Sequence, residues 1–240
     1  MIKRIIDIVI SLIGLIFFSP IIFIFSILIW KDDKMLPFYV APRVGKNNKI
    51  FNMIKLRSMI VDAHKTGVAS TGNKDSRITR IGYVVRKYKL DEITQLWNVL
   101  LGDMSLVGPR PNVKSETDLY TDVEKKIISV KPGITDFSSI VFSDEGKILE
   151  NENNPDLAYK KLIRPWKSRL SLIYIKNQSL SLDLEIIIYT LISLILRRQA
   201  LDLISGKLKK LKAGQEIINI SNRKNKLYAS LPPGSENLRI

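Results

Sequence analysis

Hydrophobic and polar positions divide the chain into an apolar head, a mixed middle and a basic end. From Ile5 to Trp30 the only strongly polar residue is Asp7. As a straight helix this run would reach roughly 39 Å, at about 1.5 Å per residue. A bilayer core is about 30 Å thick, so the run is long enough to cross one. A cleaved signal peptide fits poorly. The run is long for that role, lacks a small-residue cleavage site and leads straight into Lys31, Asp32 and Asp33. Ser19-Pro20 lies at its middle. Proline has no N–H and crowds the carbonyl four residues back, so it bends or breaks a helix. A serine hydroxyl beside it can satisfy a freed backbone group in lipid. Lys3 and Arg4 flank one end, Lys31 and Lys34 the other. The positive-inside tendency then places both ends on the cytoplasmic side. A re-entrant helix broken at Ser19-Pro20 meets both conditions. A kinked spanning helix stays open, because Asp32 and Asp33 offset the second flank.

Beyond the head the period changes. Residues 37–45 and 49–59 read as two strands around a Lys46-Asn47-Asn48 turn, a small hairpin. Residues 62–77 are polar, either a solvated connection or a flap over a site. Ile81, Val84, Val85 and Tyr88 then share a helix face. Leu90, Ile93, Leu96, Trp97 and Leu100 continue at helical spacing until Gly102 ends it. Residues 155–176 predict helices on the core or the membrane surface. The apolar run 186–196 is too short to span, and fits an interfacial or a buried helix equally. Residues 206–240 form a basic tail, whose "KLKKLK" reads as a membrane-surface segment or a solvated charged face and whose last residues read as weakly ordered.

Charge narrows the partners. The 240 residues carry 38 Lys and Arg against 23 Asp and Glu, a net +15. That implies an anionic partner: nucleic acid, lipid headgroups or phosphorylated substrates. No base-stacking aromatic cluster or DNA-binding pattern is visible, so nucleic acid is not expected. There is no cysteine and a single histidine, His64. This removes disulfides, thiolate nucleophiles and Cys- or His-rich metal sites.

The chemistry-bearing stretch is Lys87–Pro111. Asp91 and Glu92 sit side by side at a helix start, with Arg86 and Lys89 before them and Gly108-Pro109-Arg110-Pro111 after. Helix-start acids commonly cap. Adjacent helical residues point about 100° apart, so a cap needs only one of the two. A pair among cations can also supply one nucleophile and one ligand for a divalent cation. Arginines clamp phosphate oxygens, and oxygen-only ligands suit Mg²⁺. On the residues alone, capping and phosphoryl chemistry both remain open.

Several motifs, in order, decide between them: Ser19-Pro20, "KLRSM" (Lys55–Met59), "RITRIGYVVRKYKLDE" (Arg77–Glu92), "QLWNVLLGDMSLVGPRP" (Gln95–Pro111), "KPGIT" (Lys131–Thr135) and "NQSLSLDLEIIIYT" (Asn177–Thr190). Over about residues 1–200 the chain resembles the bacterial sugar transferases, specifically the monotopic phosphoglycosyl transferases. The resemblance implies an enzyme on the cytoplasmic face of the bacterial inner membrane. It would move a sugar-1-phosphate from a UDP-sugar to undecaprenyl phosphate, release UMP and require Mg²⁺. It implies Asp91 as nucleophile, through a covalent phosphosugar intermediate, and Glu92 as its partner for metal, phosphate or proton. Arg86 matches the family's phosphate arginine, and Arg110, beside Pro109, its nucleotide-sugar arginine. Lys55 and Arg57 of the "KLRSM" motif join the expected substrate-binding set. The fold expected is α/β and mainly helical: a re-entrant helix over 1–34, a catalytic domain over 35–205 with a hairpin and amphipathic interfacial helices, and the tail 206–240. Membrane lipids are expected partners, and anchoring makes self-association plausible.

The chain departs from the family at three places. Thr94 stands where proline is frequent, "KLRSM" replaces K-F-R-T-M, and Asp136-Phe137 follows "KPGIT" where glycine is common. Asp136 falls where sugar choice could be affected. Two other classes fit the residues: a non-catalytic membrane scaffold of the same fold, and a membrane-anchored anion-binding protein.

Overall fold

The computed structural model describes residues 2–66 and 70–237. Helix α1 spans Ile2–Asp33. It stays helical through Ser19-Pro20 instead of parting into two segments there. Pro20 offers no N–H to the carbonyl of Ile16. The Ser19 hydroxyl donates to that carbonyl instead, at 2.8 Å. The freed group is thus satisfied within the helix, as lipid requires.

Among the described residues, α1 is the one helix long and apolar enough to cross a membrane. Ile13, Ile16, Phe17 and Phe23 are exposed along it. Both of its ends are nevertheless held by the same protein body. Near the start, Lys3 pairs with Asp183. Arg4 donates to the carbonyls of Val99 and Leu100. Buried Asp7 accepts from the Ser105 hydroxyl at 2.8 Å and the Leu106 N–H at 3.1 Å. Near the end, Ile29 is buried with Leu56, Val85 and Leu90, and Asp33 pairs with Arg57.

Strands β1 (Phe38–Val44) and β2 (Ile50–Leu56) form the expected antiparallel hairpin, Phe38 opposite Leu56 and Val44 opposite Ile50. Asn47 and Asn48 take left-handed φ angles of 54° and 64° at its turn, which asparagine tolerates. Helix α2 (Arg80–Lys87) is capped by the Thr79 side chain, which accepts from the Gly82 N–H. The single helix expected from Leu90 is two short ones, α3 (Leu90–Ile93) and α4 (Leu96–Leu101). They are joined by tight i→i−3 bonds, Gln95 N–H to Glu92 and Trp97 N–H to Thr94, both 3.1 Å. Gly102, at φ 91°, ends α4 as expected.

Next come β3 (Ser105–Val107), α5 (Lys114–Thr117) and β4 (Gly133–Thr135). β3 and β4 pair in parallel, Ser105 opposite Gly133 and Val107 opposite Thr135. The rest is helical: α6 (Phe137–Val141), α7 (Glu145–Leu149), α8 (Pro155–Ala158), a π-helical turn at Tyr159–Ile163, α9 (Arg164–Lys176), α10 (Leu180–Ile195), α11 (Arg197–Lys210) and α12 (Gln215–Asn222). Phe137, Trp166, Leu170, Tyr174, Ile186 and Leu201 are at the centre of the core. Residues 155–176 therefore pack on the core. The 186–196 run lies in a helix buried along one face only: α10 buries Leu182 and Ile186 and exposes Leu184, Ile188, Leu191 and Leu194.

The tail is more ordered than its composition predicts. The expected boundary at 205–206 falls inside α11. Past α12, a strap returns to the core. The Trp166 indole donates to the Tyr228 carbonyl at 3.2 Å, and the Ser230 N–H to the Lys161 carbonyl at 3.1 Å. The loop over 62–77 is likewise docked where it is described. The Ser70 N–H donates to Asp156 at 2.7 Å and the Asn73 N–H to the Gly146 carbonyl at 3.1 Å. Residues 67–69 of that loop and 238–240 of the tail lie outside the described residues.

Candidate active site

Asp91 and Glu92 occupy the first turn of α3, as expected. They do not share a role. Glu92 accepts from Arg110 Nη2 at 2.8 Å, and Lys89 Nζ lies 3.9 Å from the same oxygen. Burial opposes its charge, but Arg110, Lys89 and Lys55 outweigh that and hold its pKa at about 2. Asp91, half-buried, has no side-chain hydrogen bond or ion pair among the described residues. Burial raises its pKa and Lys55 opposes the rise, while the Glu92 charge adds to it. Neither carboxylate caps α3. Its N-cap is Lys89, held at φ 56° with no side-chain cap bond.

Lys55 comes from β2, which Thr94 and Asn98 fasten to α3 and α4. The Thr94 hydroxyl donates to the Ile54 carbonyl at 3.1 Å. Asn98 donates to the Asn52 carbonyl at 2.7 Å and accepts from the Ile54 N–H at 3.0 Å. Among the described residues the Lys55 ammonium is paired with no carboxylate. Burial and Arg110 pull its pKa down to about 8, against Asp91 and Glu92. The Thr94 departure thus has a use: its hydroxyl locks the strand carrying Lys55 beside the dyad.

Arg110 is placed by the close approach of two motifs. The Gly133 N–H donates to the Pro109 carbonyl at 2.9 Å, and the Gly108 N–H to the Thr135 carbonyl at 3.0 Å. A Cβ on Gly133 would collide with the Gly108 backbone. "GPRP" and "KPGIT" are therefore one structural unit. Pro109 fixes backbone here, while Arg110 reaches the dyad.

Two expected residues are placed elsewhere. Arg57 is buried and bonded to Asp33, with Nε donating to the Leu36 carbonyl at 2.8 Å. It ties the end of α1 to β2. Arg86 is in the last turn of α2, where its charge lowers the Asp75 carboxyl behind the larger effect of Arg77. No hydrogen bond or ion pair among the described residues joins Arg86 to Asp91 or Glu92. Asp136 is fully buried and caps α6. It accepts from the Ser139 N–H at 2.8 Å and from the Ser138 and Ser171 hydroxyls at 2.7 and 2.9 Å.

Sequence reasoning missed Arg43 of β1, whose charge bears on Arg110 and Lys55. It also missed Glu145 and Lys167, which bond each other near Arg110. They lie 35 or more positions beyond Arg110 in sequence, and no local pattern marks them. Gln95, marked in the sequence only by its place in a motif, is fully buried with neither amide atom bonded among the described residues.

Among the described residues no three His, Cys, Asp or Glu side chains converge to form a metal cage. Two hard carboxylates do suit Mg²⁺, which takes one or two of them and completes its shell with water and substrate phosphate. The donors therefore fit an ion that arrives with a diphosphate.

The sequence model of the family described as "Bacterial sugar transferase" matches residues 1–197. A Bacillus subtilis protein, provisionally named an undecaprenyl-phosphate N-acetylgalactosaminyl 1-phosphate transferase, is 45% identical over 134 residues, 56% of this chain and 71% of the relative. The UDP-N-acetylgalactosamine-undecaprenyl-phosphate N-acetylgalactosaminephosphotransferase of Aeromonas hydrophila is 33% identical over 199 residues, 79% of this chain and 43% of the relative. The undecaprenyl-phosphate glucose phosphotransferase of Komagataeibacter xylinus is 34% identical over 205 residues, 82% of this chain and 36% of the relative. The chain thus spans less than half the length of the last two. With the family match covering most of the sequence, the chain belongs to the bacterial sugar transferase family.

Proposed function

We propose that this chain transfers a sugar-1-phosphate from a UDP-sugar to undecaprenyl phosphate, with Asp91 as the covalent nucleophile. The observation that carries the reading is the asymmetry of the dyad. Glu92 is locked by Arg110 and ionised, while Asp91 is uncommitted beside an equally uncommitted Lys55. An Asp91 oxygen attacks the phosphorus bearing the sugar, and the bond from that phosphorus to the UMP oxygen breaks. UMP leaves with its electron pair. A phosphate oxygen of the polyprenol phosphate then attacks the same phosphorus. The aspartyl bond breaks, Asp91 is restored and the lipid diphosphosugar forms. Splitting the transfer in two removes the need to hold two bulky phosphates together. Repulsion between carboxylate and diphosphate is offset by Lys55, Arg110 and Lys89. Mg²⁺, held by Asp91 and Glu92 with the substrate's phosphates, would supply further neutralisation of that charge.

The membrane arrangement follows from α1. A spanning helix has its ends on opposite sides of the bilayer, whereas both ends of α1 grip one protein body. In this reading α1 enters and leaves on one face, and the Lys and Arg flanks support the cytoplasmic face of the inner membrane. The exposed stripe of α10, with Leu184, Ile188 and Leu191, rests at the interface. This puts the dyad at headgroup depth, where the polyprenol phosphate presents its own phosphate.

The test is UMP release in nanodiscs with undecaprenyl phosphate, Mg²⁺ and a panel of UDP-sugars. Release with one or more donors, lost in Asp91→Asn, is expected. Wild-type turnover in Asp91→Asn would overturn the mechanism. No release with any donor would favour a scaffold that keeps the fold without the activity.

A further inference from the structure

Beside the dyad a cleft opens between α6, the π-helical turn and α9. Arg110, Tyr120, Tyr159, Lys167, Ser138 and Ser171 are among the residues that line it. Lys167, on the wall of this cleft, bonds Glu145, the first residue of α7. Glu145 and Arg110 are near enough for each to shift the other's charge equilibrium.

The placement of this pair looks built rather than incidental to a surface. Asp144, next to Glu145, is gripped by Arg197 of α11 at 2.9 Å and by Arg223 beyond α12 at 3.0 Å. The docked loop fastens the other side of α7, through the Asn73 N–H on Gly146 and the Lys74–Glu150 pair at 2.8 Å. Ser138 and Ser171 are oriented from behind by Asp136. Tyr159 stands on a π-helical turn, a geometry that recurs at functional sites. The serine hydroxyls donate to Asp136 and Glu124 and so keep only acceptor capacity, while the ion pair offers an ammonium donor and a carboxylate acceptor.

We propose that Glu145 and Lys167 read the hydroxyl groups of the donor's hexose and set the choice of sugar. The proposal rests on the transferase reading above. The attacked phosphorus sits by Asp91 and Arg110, and the sugar is its nearest substituent. The Glu145–Lys167 pair, partly exposed beside Arg110, is the polar group that substituent can meet. A carboxylate beside an ammonium matches neighbouring sugar hydroxyls, each able to donate to Glu145 and accept from Lys167. A hydroxyl turned the wrong way leaves one of two largely desolvated charges unpaired, which is how polar sites reject close analogues. Glu145 and Lys167 are thus specificity residues, separate from the dyad that performs the transfer.

The experiment compares wild type, Glu145→Gln and Lys167→Met. Affinities are measured for UDP alone and for UDP-glucose, UDP-galactose and their N-acetyl-2-amino counterparts, alongside kcat/KM for UMP release. In wild type, one hexose adds affinity over UDP. In each variant that increment and the kcat/KM of the favoured donor fall roughly 10- to 100-fold. The ratio between C4 epimers collapses, and affinity for UDP stays the same. Glu145→Gln keeps the side-chain shape and tests the proposal even where Lys167→Met fails to fold. An unchanged donor ratio in Glu145→Gln would overturn the inference and leave the transferase reading intact. Absence of UMP release in wild type would fault that reading, while the affinities still decide whether the cleft recognises sugar.

Discussion

At the residue scale, two neighbouring carboxylates with nearly identical chemistry are driven apart by what surrounds them. Glu92, paired with Arg110, stays ionised far into acid, while burial raises Asp91. Lys55 is lowered to about 8, first by burial and then by Arg110. A pH profile of kcat/KM reports such groups in the free enzyme. Asp91 must be ionised to attack, so activity falls on acidification from a point above the ordinary carboxylate value. Lys55 must be charged to hold phosphate, so activity also falls as pH rises through about 8. Lys55→Arg is expected to remove the alkaline limb up to pH ~10, since arginine keeps its charge there. An unmoved limb in that variant would assign it to another group. Arg57 gives the opposite prediction. Its partner is Asp33, so Arg57→Ala should destabilise by roughly 1–3 kcal/mol, seen as a lower Tm, with KM for the donor unchanged in the folded fraction. A large rise in KM with no change in Tm would return Arg57 to the substrate-binding set.

At the element scale, the sequence carried clear signals wherever a period or a turn residue acts locally. The hairpin at Lys46-Asn47-Asn48, the α4 stop at Gly102 and the dyad in a first helical turn all follow from local chemistry. The division of α3 from α4 was not legible, because it depends on how Thr94 and Asn98 bond a strand 40 or more positions earlier. The union of "GPRP" with "KPGIT" was hidden for the same reason. Each motif looks like a loop until β3 and β4 pair. Gly133→Ala should therefore cost at least about 3 kcal/mol and abolish Arg110-dependent donor binding. A variant with normal Tm would show that the two backbones are not so close. Ser19→Ala tests another local bond. It leaves the Ile16 carbonyl unsatisfied in lipid, at a cost of about 1–3 kcal/mol, detectable as earlier unfolding in nanodiscs. No change would mean that water or another donor reaches that carbonyl.

At the scale of the whole molecule, composition and folded order part company. The basic tail reads as a membrane-surface segment or a solvated charged face, yet α11, α12 and the strap that follows complete the core. Its positive charge is partly spent internally, Lys207 on Glu185 and Arg223 on Asp144. The site was legible through Asp91, Glu92, Lys55 and Arg110, and illegible at Glu145, Lys167 and Arg43, which come from distant segments without a motif. Topology is set at this scale as well. Because the protein has no cysteine, single cysteines at residues 2 and 34 can report sidedness cleanly. Labelling of both from the cytoplasmic face is expected, and labels on opposite faces would contradict the re-entrant arrangement.

The most direct test of the central claim is the intact mass of the protein after incubation with Mg²⁺ and its preferred UDP-sugar, with no lipid acceptor present. The account predicts an adduct of one sugar-phosphate, mapped by proteolysis to Asp91. It should vanish when undecaprenyl phosphate is added and never form in Asp91→Asn. Turnover with acceptor but no adduct, or an adduct on another residue, would contradict it.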